Sequence, residues 1–335
     1  FYDSSSTLHY KAKGILHRYA CNIGLDAGFA IIDNLVEELI EQDISEIINT
    51  SRKEIKLQIK QYQEASANCQ DQNNNFSAKY RSIQRYYTAI DWFDVVFYTV
   101  KIFENHPDIL SQESNRFHFL LVDEYQDLNN ADQKLIELLI NKRNTLIVVG
   151  DDDQSIYSLR FADPSGIINF NSRYPNAKII KLPVTSRLPS KVISASNRLI
   201  TKNQNRHPKE KLISLDKTDK RSNSGFVISA NLKSAKVENK FLADALKTLI
   251  SNKVPPKEIL VLFNCKTIGQ ELCKHIKENY KEIPVFNDLS SDHDFDKEKF
   301  IIQKIKNFLR EPSDNLSLRI LIDALAENRI FVARF

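Results

Sequence analysis

The sequence predicts an α/β protein with parallel sheets, built as two domains. Three observations point there. Two apolar runs, residues 117–122 and 145–150, each end in acids, Asp123-Glu124 and Asp151-Asp152-Asp153. Between them residues 131–140 read as a crossover helix, the arrangement of a β-α-β unit with parallel, right-handed connection. Beyond Pro183 short apolar runs again alternate with helical patterns, which predicts a second α/β domain. The length of 335 residues accommodates two domains.

In chain order, Thr7-Leu8-His9 opens a helix over 7–20, with Leu16, Tyr19 and Ile23 on one apolar face. Asp33 is placed to cap a helix carrying Leu35, Val36, Leu39 and Ile40. From there to Tyr87 the chain is polar, helix-compatible and free of convincing strands, with a loop expected over the Asn/Gln-rich residues 68–75. An apolar helix is expected over 92–103, stopped by His106-Pro107. In the second half, strands are expected at 226–230, 258–263 and 283–286, with helices at 237–251 and 267–279. The polar segment 202–224 reads as a surface connection.

Composition constrains the function loosely. A hydrophobic share of 42% and a charged share of 27% are ordinary for a soluble globular protein. No stretch approaches the apolar length of a membrane span, and no secretory signal opens the chain, so a cytoplasmic protein is expected. The net charge of +4 permits nucleic-acid binding without requiring it. Four cysteines without CxxC spacing predict reduced, inert thiols rather than a metal centre. The absence of methionine and the start at Phe1 predict a fragment, or a chain from which residues have been lost.

The acids carry the chemistry. Ionised carboxylates where an apolar strand stops are costly unless a cation, usually a metal, is held there. Two neighbouring strands that deliver acids and Gln154 at their carboxyl ends describe a nucleotide–Mg²⁺ site on an open sheet. The alternative is an acidic cluster serving helix capping and surface solvation. With these residues in view, VDEYQD (122–127) and VVGDDDQSIYSLRFADP (148–164) resemble the second and third motifs of the UvrD/Rep-type helicases of superfamily 1. Those are ATP-driven motors that move along single-stranded DNA.

The resemblance implies two RecA-like domains of the P-loop NTPase type. Residues 1–181 would form the first, with a helical insertion at about 31–90, and 182–335 an incomplete second. It implies ATP and Mg²⁺ as cofactors and single-stranded DNA as partner. Asp123 would hold the metal, largely through water, with Glu124 beside it as the water-activating base. Gln154 would contact the γ-phosphate or the attacking water. Tyr157 would stack on a base and Arg160 pair with phosphate. Thr7 and His9 match an element that approaches the DNA backbone. Arg187, in LPVTSRLPS, matches the arginine of the fourth motif, which reaches across the cleft to the γ-phosphate. A packed tyrosine, a surface arginine and a structural ion pair are the alternatives for Tyr157, Arg160 and Arg187.

Several positions depart from the family pattern. Leu159 replaces a frequent aromatic and Phe161 a glycine, so the base-stacking wedge is expected to be weaker or moved to Phe161. Ser186 stands where a tyrosine usually stacks on adenine. No glycine is followed by lysine, so the phosphate-cradling GxxxxGK[ST] loop is expected upstream of Phe1. Residues 329–334 faintly echo the sixth motif. By resemblance, travel runs 3′ to 5′ and the task lies in repair or replication. A catalytically silent DNA- or partner-binding module and the motor of a helicase–nuclease are the competing expectations.

Overall fold

A computed structural model of the chain describes residues 6–204, 206, 209, 212–214, 226–286 and 297–327. The chain divides into two compact units, Phe1–Gly225 with Lys304–Phe335, and Phe226–Gln303.

In the first unit, helix α1 (Leu8–Tyr19) begins where Thr7 Oγ1 accepts the Tyr10 N–H at 3.2 Å. A short parallel pair, β1 (Ala30–Ile31) and β2 (Ala89–Ile90), brackets the helical insertion. Inside it lie α2 (Asn34–Ile48), α3 (Arg52–Ala67) and α4 (Asn75–Tyr86), capped by the side chains of Asp33, Ser51 and Asn74. Val36, Leu39, Ile40, Ile55, Ile59 and Tyr62 are buried, so the polar look of this stretch conceals an apolar face on its helices. The two-residue strands were not readable, because a dipeptide displays no period.

Helix α5 (Trp92–Asn105) is the hub of the unit. Its Val95, Val96, Val100 and Phe103 share a core with Ala12, Ile15 and Leu16 of α1. Each of the valine, isoleucine, leucine and phenylalanine side chains contributes about 1.5–3 kcal/mol on burial. His106 ends α5 as expected, but Pro107 does more than stop it: it is the first residue of α6 (Pro107–Ser114), where its missing N–H costs nothing.

Strand β3 (Phe119–Val122), helix α7 (Asn130–Leu139) and strand β4 (Thr145–Val148) form the expected β-α-β unit, with Phe119 opposite Thr145 and Val122 opposite Val148 in parallel register. α7 starts with a reciprocal cap between Asn129 and Asp132. The strands are covered on one face only. Leu120 packs on the core, whereas Phe119, Leu121, Ile147 and Val149 remain exposed, so these strands are not buried on both faces. After the second acidic loop come α8 (Ser165–Ile168), α9 (Phe170–Arg173), β5 (Val184–Thr185), α10 (Ser190–Ile200) and β6 (Ile213–Ser214), with β5 and β6 parallel.

The second unit holds α11 (Ala235–Ser251) and α12 (Lys266–Asn279), packed through Ala243, Leu272, Ile276 and Ile283. The strands expected at 226–230, 258–263 and 283–286 form no β-ladder among the described residues. Their alternation is nevertheless expressed: Val261 and Phe263 pack on the cluster, while Leu260 and Leu262 are exposed. A period of two selects the buried face but supplies no neighbouring strand. α13 (Lys297–Arg310) follows, and α14 (Asn315–Glu327) belongs to the first unit, where Arg319 pairs with Asp43 at 3.0 Å.

The architecture is therefore helix-rich with small parallel sheets. Among the described residues there are three separate two-stranded pairs instead of the wide RecA-like sheets expected. No described helix is long and apolar enough to cross a membrane. The echo at 329–334 and most of 202–224 lie outside the described residues.

Candidate nucleotide site

The parallel register delivers both acidic loops to the same edge of the β3–β4 pair. Val149 N–H donates to Val122 O at 2.8 Å and Tyr125 N–H to Val149 O at 3.1 Å, so the strands stay joined as they leave the sheet. Asp123 Oδ1 accepts the Glu124 N–H at 2.9 Å, and both acids are exposed.

Glu124 adopts the left-handed region, with φ 51° and ψ 43°. Such a conformation in a non-glycine residue carries strain of about 1 kcal/mol or more and recurs at functional turns. It reverses the chain so that Tyr125 enters the interior, edge-on to Phe170 at 5.6 Å, while Glu124 points outward.

The residue that joins the loops is Gln126, which is 1% exposed. Its Nε2 donates to Glu124 Oε2 at 2.7 Å, and its Oε1 accepts the Asp151 N–H at 3.0 Å. Ser155 Oγ donates to Gln126 O at 3.4 Å. Gly150 permits this approach, since a Cβ there would lie 2.7 Å from Gln126 Oε1 and 2.6 Å from Ile167 Cδ1. Gln126 stands inside VDEYQD, where nothing local marks it as the joint between two loops.

Gln154 is exposed and turned toward its own loop: its Nε2 donates to Asp151 Oδ2 at 2.9 Å. Asp151, Asp152 and Asp153 gather their carboxylate oxygens within 4.8 Å of one another, and Asp123 and Glu124 are not in that group. The trio is matched by cations. Lys209 Nζ pairs with Asp151, with Asp152 at 2.7 Å and with Asp153 at 2.7 Å, while Arg206 places a bidentate fork on Asp153. Ammonium and guanidinium groups therefore take the place a metal would need. Asp123 and Glu124 are the better fit to Mg²⁺, being exposed, hard oxygen donors that leave room for its waters.

The residues expected to meet DNA are divided. Thr7 spends its hydroxyl on the α1 cap. His9 is half-buried, edge-on to Trp92 at 5.7 Å, with its Nδ1 3.8 Å from Asp132. Tyr157 and Arg160 are exposed, and the Arg160 guanidinium lies 5.3 Å from the centre of the Tyr157 ring. Phe161 sits at φ 60°, a left-handed conformation that favours glycine, and its ring packs against Phe93 at 5.2 Å. Leu159 is left 84% exposed. Arg187 is exposed just past β5, with its N–H donating to Thr185 Oγ1 at 3.2 Å, and no ion pair of its guanidinium occurs among the described residues.

Residues 3–175 match the family described as the UvrD/REP helicase N-terminal domain. The chain is also 36% identical over 220 residues to the ATP-dependent DNA helicase PcrA of Staphylococcus epidermidis, covering 61% of this chain and 30% of that protein. The PcrA of Staphylococcus aureus strain Mu50 is 34% identical over 220 residues, with the same shares covered. The alignment thus spans about a third of the length of these curated relatives.

Proposed function

The chain belongs to the UvrD/REP helicase N-terminal domain family, and from that premise we propose that it is part of an ATP-dependent DNA helicase or translocase moving on single-stranded DNA. The observation that carries the reading furthest is the Gln126 bridge. It makes the Asp123–Glu124 turn and the Asp151–Gln154 loop one hydrogen-bonded unit at a single sheet edge.

In this reading Mg²⁺, bound with ATP, would neutralise charge on the phosphate oxygens as the terminal phosphoryl group leaves. Asp123 would hold the metal. Glu124 takes the proton of the attacking water, and Gln126 orients its carboxylate by the 2.7 Å hydrogen bond. Gln154 contacts the γ-phosphate or the water, and Arg187 arrives from the second domain to make closure depend on nucleotide. The strand of DNA passes Tyr157 and Arg160, and Thr7 and His9 support its backbone. We place the domain boundary at 181/182, travel at 3′ to 5′, the protein in the cytoplasm and its task in repair or replication.

The test is single-strand-stimulated ATP hydrolysis by the full-length protein. Glu124→Gln is expected to lower turnover about 10²- to 10⁴-fold, the range for loss of a general base. Unaltered turnover would strip Glu124 of that role. A catalytically silent module is the second reading, motivated by the absence of a Gly-Lys dipeptide in this sequence. Robust hydrolysis by the full-length protein rejects it.

A further inference from the structure

The acidic loop has a cationic counterpart whose use the nucleotide site alone does not explain. Asp151 is its centre. Its N–H is fixed by Gln126 Oε1, its Oδ2 accepts from Gln154, and its Oδ1 accepts from the Asp153 N–H at 3.2 Å and from Lys209. A carboxylate only accepts hydrogen bonds, so an amide beside it must turn its NH₂ inward. The direction of the Gln154 amide is therefore set by where the Asp151 carboxylate points.

We propose that Lys209 is a positioning residue for Gln154: it fixes the Asp151 carboxylate and, with Arg206, offsets the charge of three consecutive aspartates beside the nucleotide site. The proposal rests on the reading that Gln154 acts at the nucleotide.

Three observations support it. Lys209 is the one cation that touches all three carboxylates in the described residues, which no pairing of neighbours in sequence would produce. Burial raises the Asp151 carboxyl, but hydrogen bonds from Lys209 and Gln154 outweigh it and hold the group below its ordinary value. Arg206 adds the planar fork on Asp153 from one turn's distance in sequence. Both cations and all three aspartates lie in the unit Phe1–Gly225, so the clamp joins segments more than fifty residues apart within one compact body.

Removing the ammonium leaves the loop more negative, which repels a triphosphate and frees the Gln154 amide. Coulomb repulsion of this kind is screened by salt, whereas a folding defect is not. The experiment uses the full-length protein with single-stranded DNA and compares Lys209→Met, Lys209→Arg, Asp151→Asn and the double variant Lys209→Met/Asp151→Asn. Lys209→Met is expected to raise the KM for ATP about fivefold at low salt, more than it lowers kcat, with the ratio to wild type shrinking as salt rises. Lys209→Arg restores most of the loss, and adding Asp151→Asn to Lys209→Met makes matters no worse.

A KM within twofold of wild type, a salt-independent ratio or strictly additive single effects would overturn the proposal. If the wild-type protein hydrolyses no ATP, the functional reading fails by itself. The clamp is then judged on thermal melts, where the double variant must melt no lower than the weaker single one. Additive losses in Tm overturn it there too.

Discussion

Gln126 Nε2 donates to Glu124 Oε2 at 2.7 Å from a position that is itself almost sealed from solvent. The exposed acid on the outer edge is thus held by a buried amide, whose other end is fixed to the backbone of Asp151. One side chain sets the distance between the two acidic loops.

Gln126→Ala removes both bonds and leaves the Asp151 N–H without that acceptor. A loss of about 1–3 kcal/mol is expected for a group deprived of its partner in this way. The measurement is thermal or urea unfolding together with ATP hydrolysis. Turnover is expected to fall further than the stability loss explains, because Glu124 loses its orientation. A variant that loses stability but hydrolyses ATP normally would show that Gln126 only packs.

Tyr157→Ala removes an exposed ring that already attracts the Arg160 guanidinium. Stacking of a base on an aromatic side chain is worth about 1–3 kcal/mol, so affinity for single-stranded DNA should drop roughly 5- to 150-fold. Fluorescence anisotropy with a labelled oligonucleotide measures this, and ATP hydrolysis should lose its dependence on DNA. Unchanged affinity would assign the ring to packing.

Asp94 offers a pH signature away from the site. It is fully buried in the helical insertion's seam with α5, accepting from Gln84 Nε2 at 2.8 Å, Ser66 Oγ at 2.9 Å and Tyr62 OH at 3.4 Å. Burial, and then the neighbouring Asp91 carboxylate, push it from 3.8 up to about 7. The folded state therefore binds a proton that the unfolded chain releases. That contribution to stability is full below 3.8 and is lost as pH rises through about 7. Asp94→Asn does not titrate, so the Tm of wild type minus that of the variant should fall by several degrees between pH 5 and pH 8. A difference that stays flat across this range would mean the carboxyl remains ionised throughout.

The layout of the candidate site was legible in the sequence to the extent that it is local. Asp123, Glu124 and Gln154 sit in contiguous motifs at the ends of apolar runs, and strand polarity alone brings such ends to one edge. His9 illustrates the limit. Its place beside Trp92 and Asp132 depends on how α1 packs against α5 and α7, and no local pattern encodes that.

The amino-acid order by itself determined the β-α-β unit, the helical insertion and the family, because period, caps and motifs act over a few residues. Only the tertiary structure decided that Gln126 ties the two loops, that Pro107 starts a helix, and that Lys209 and Arg206 meet Asp151–Asp153 from more than fifty positions away. It also decided that 258–263 finds no partner strand among the described residues. Hydrogen bonds and ion pairs between distant segments are fixed by packing, and packing is a property of the whole chain.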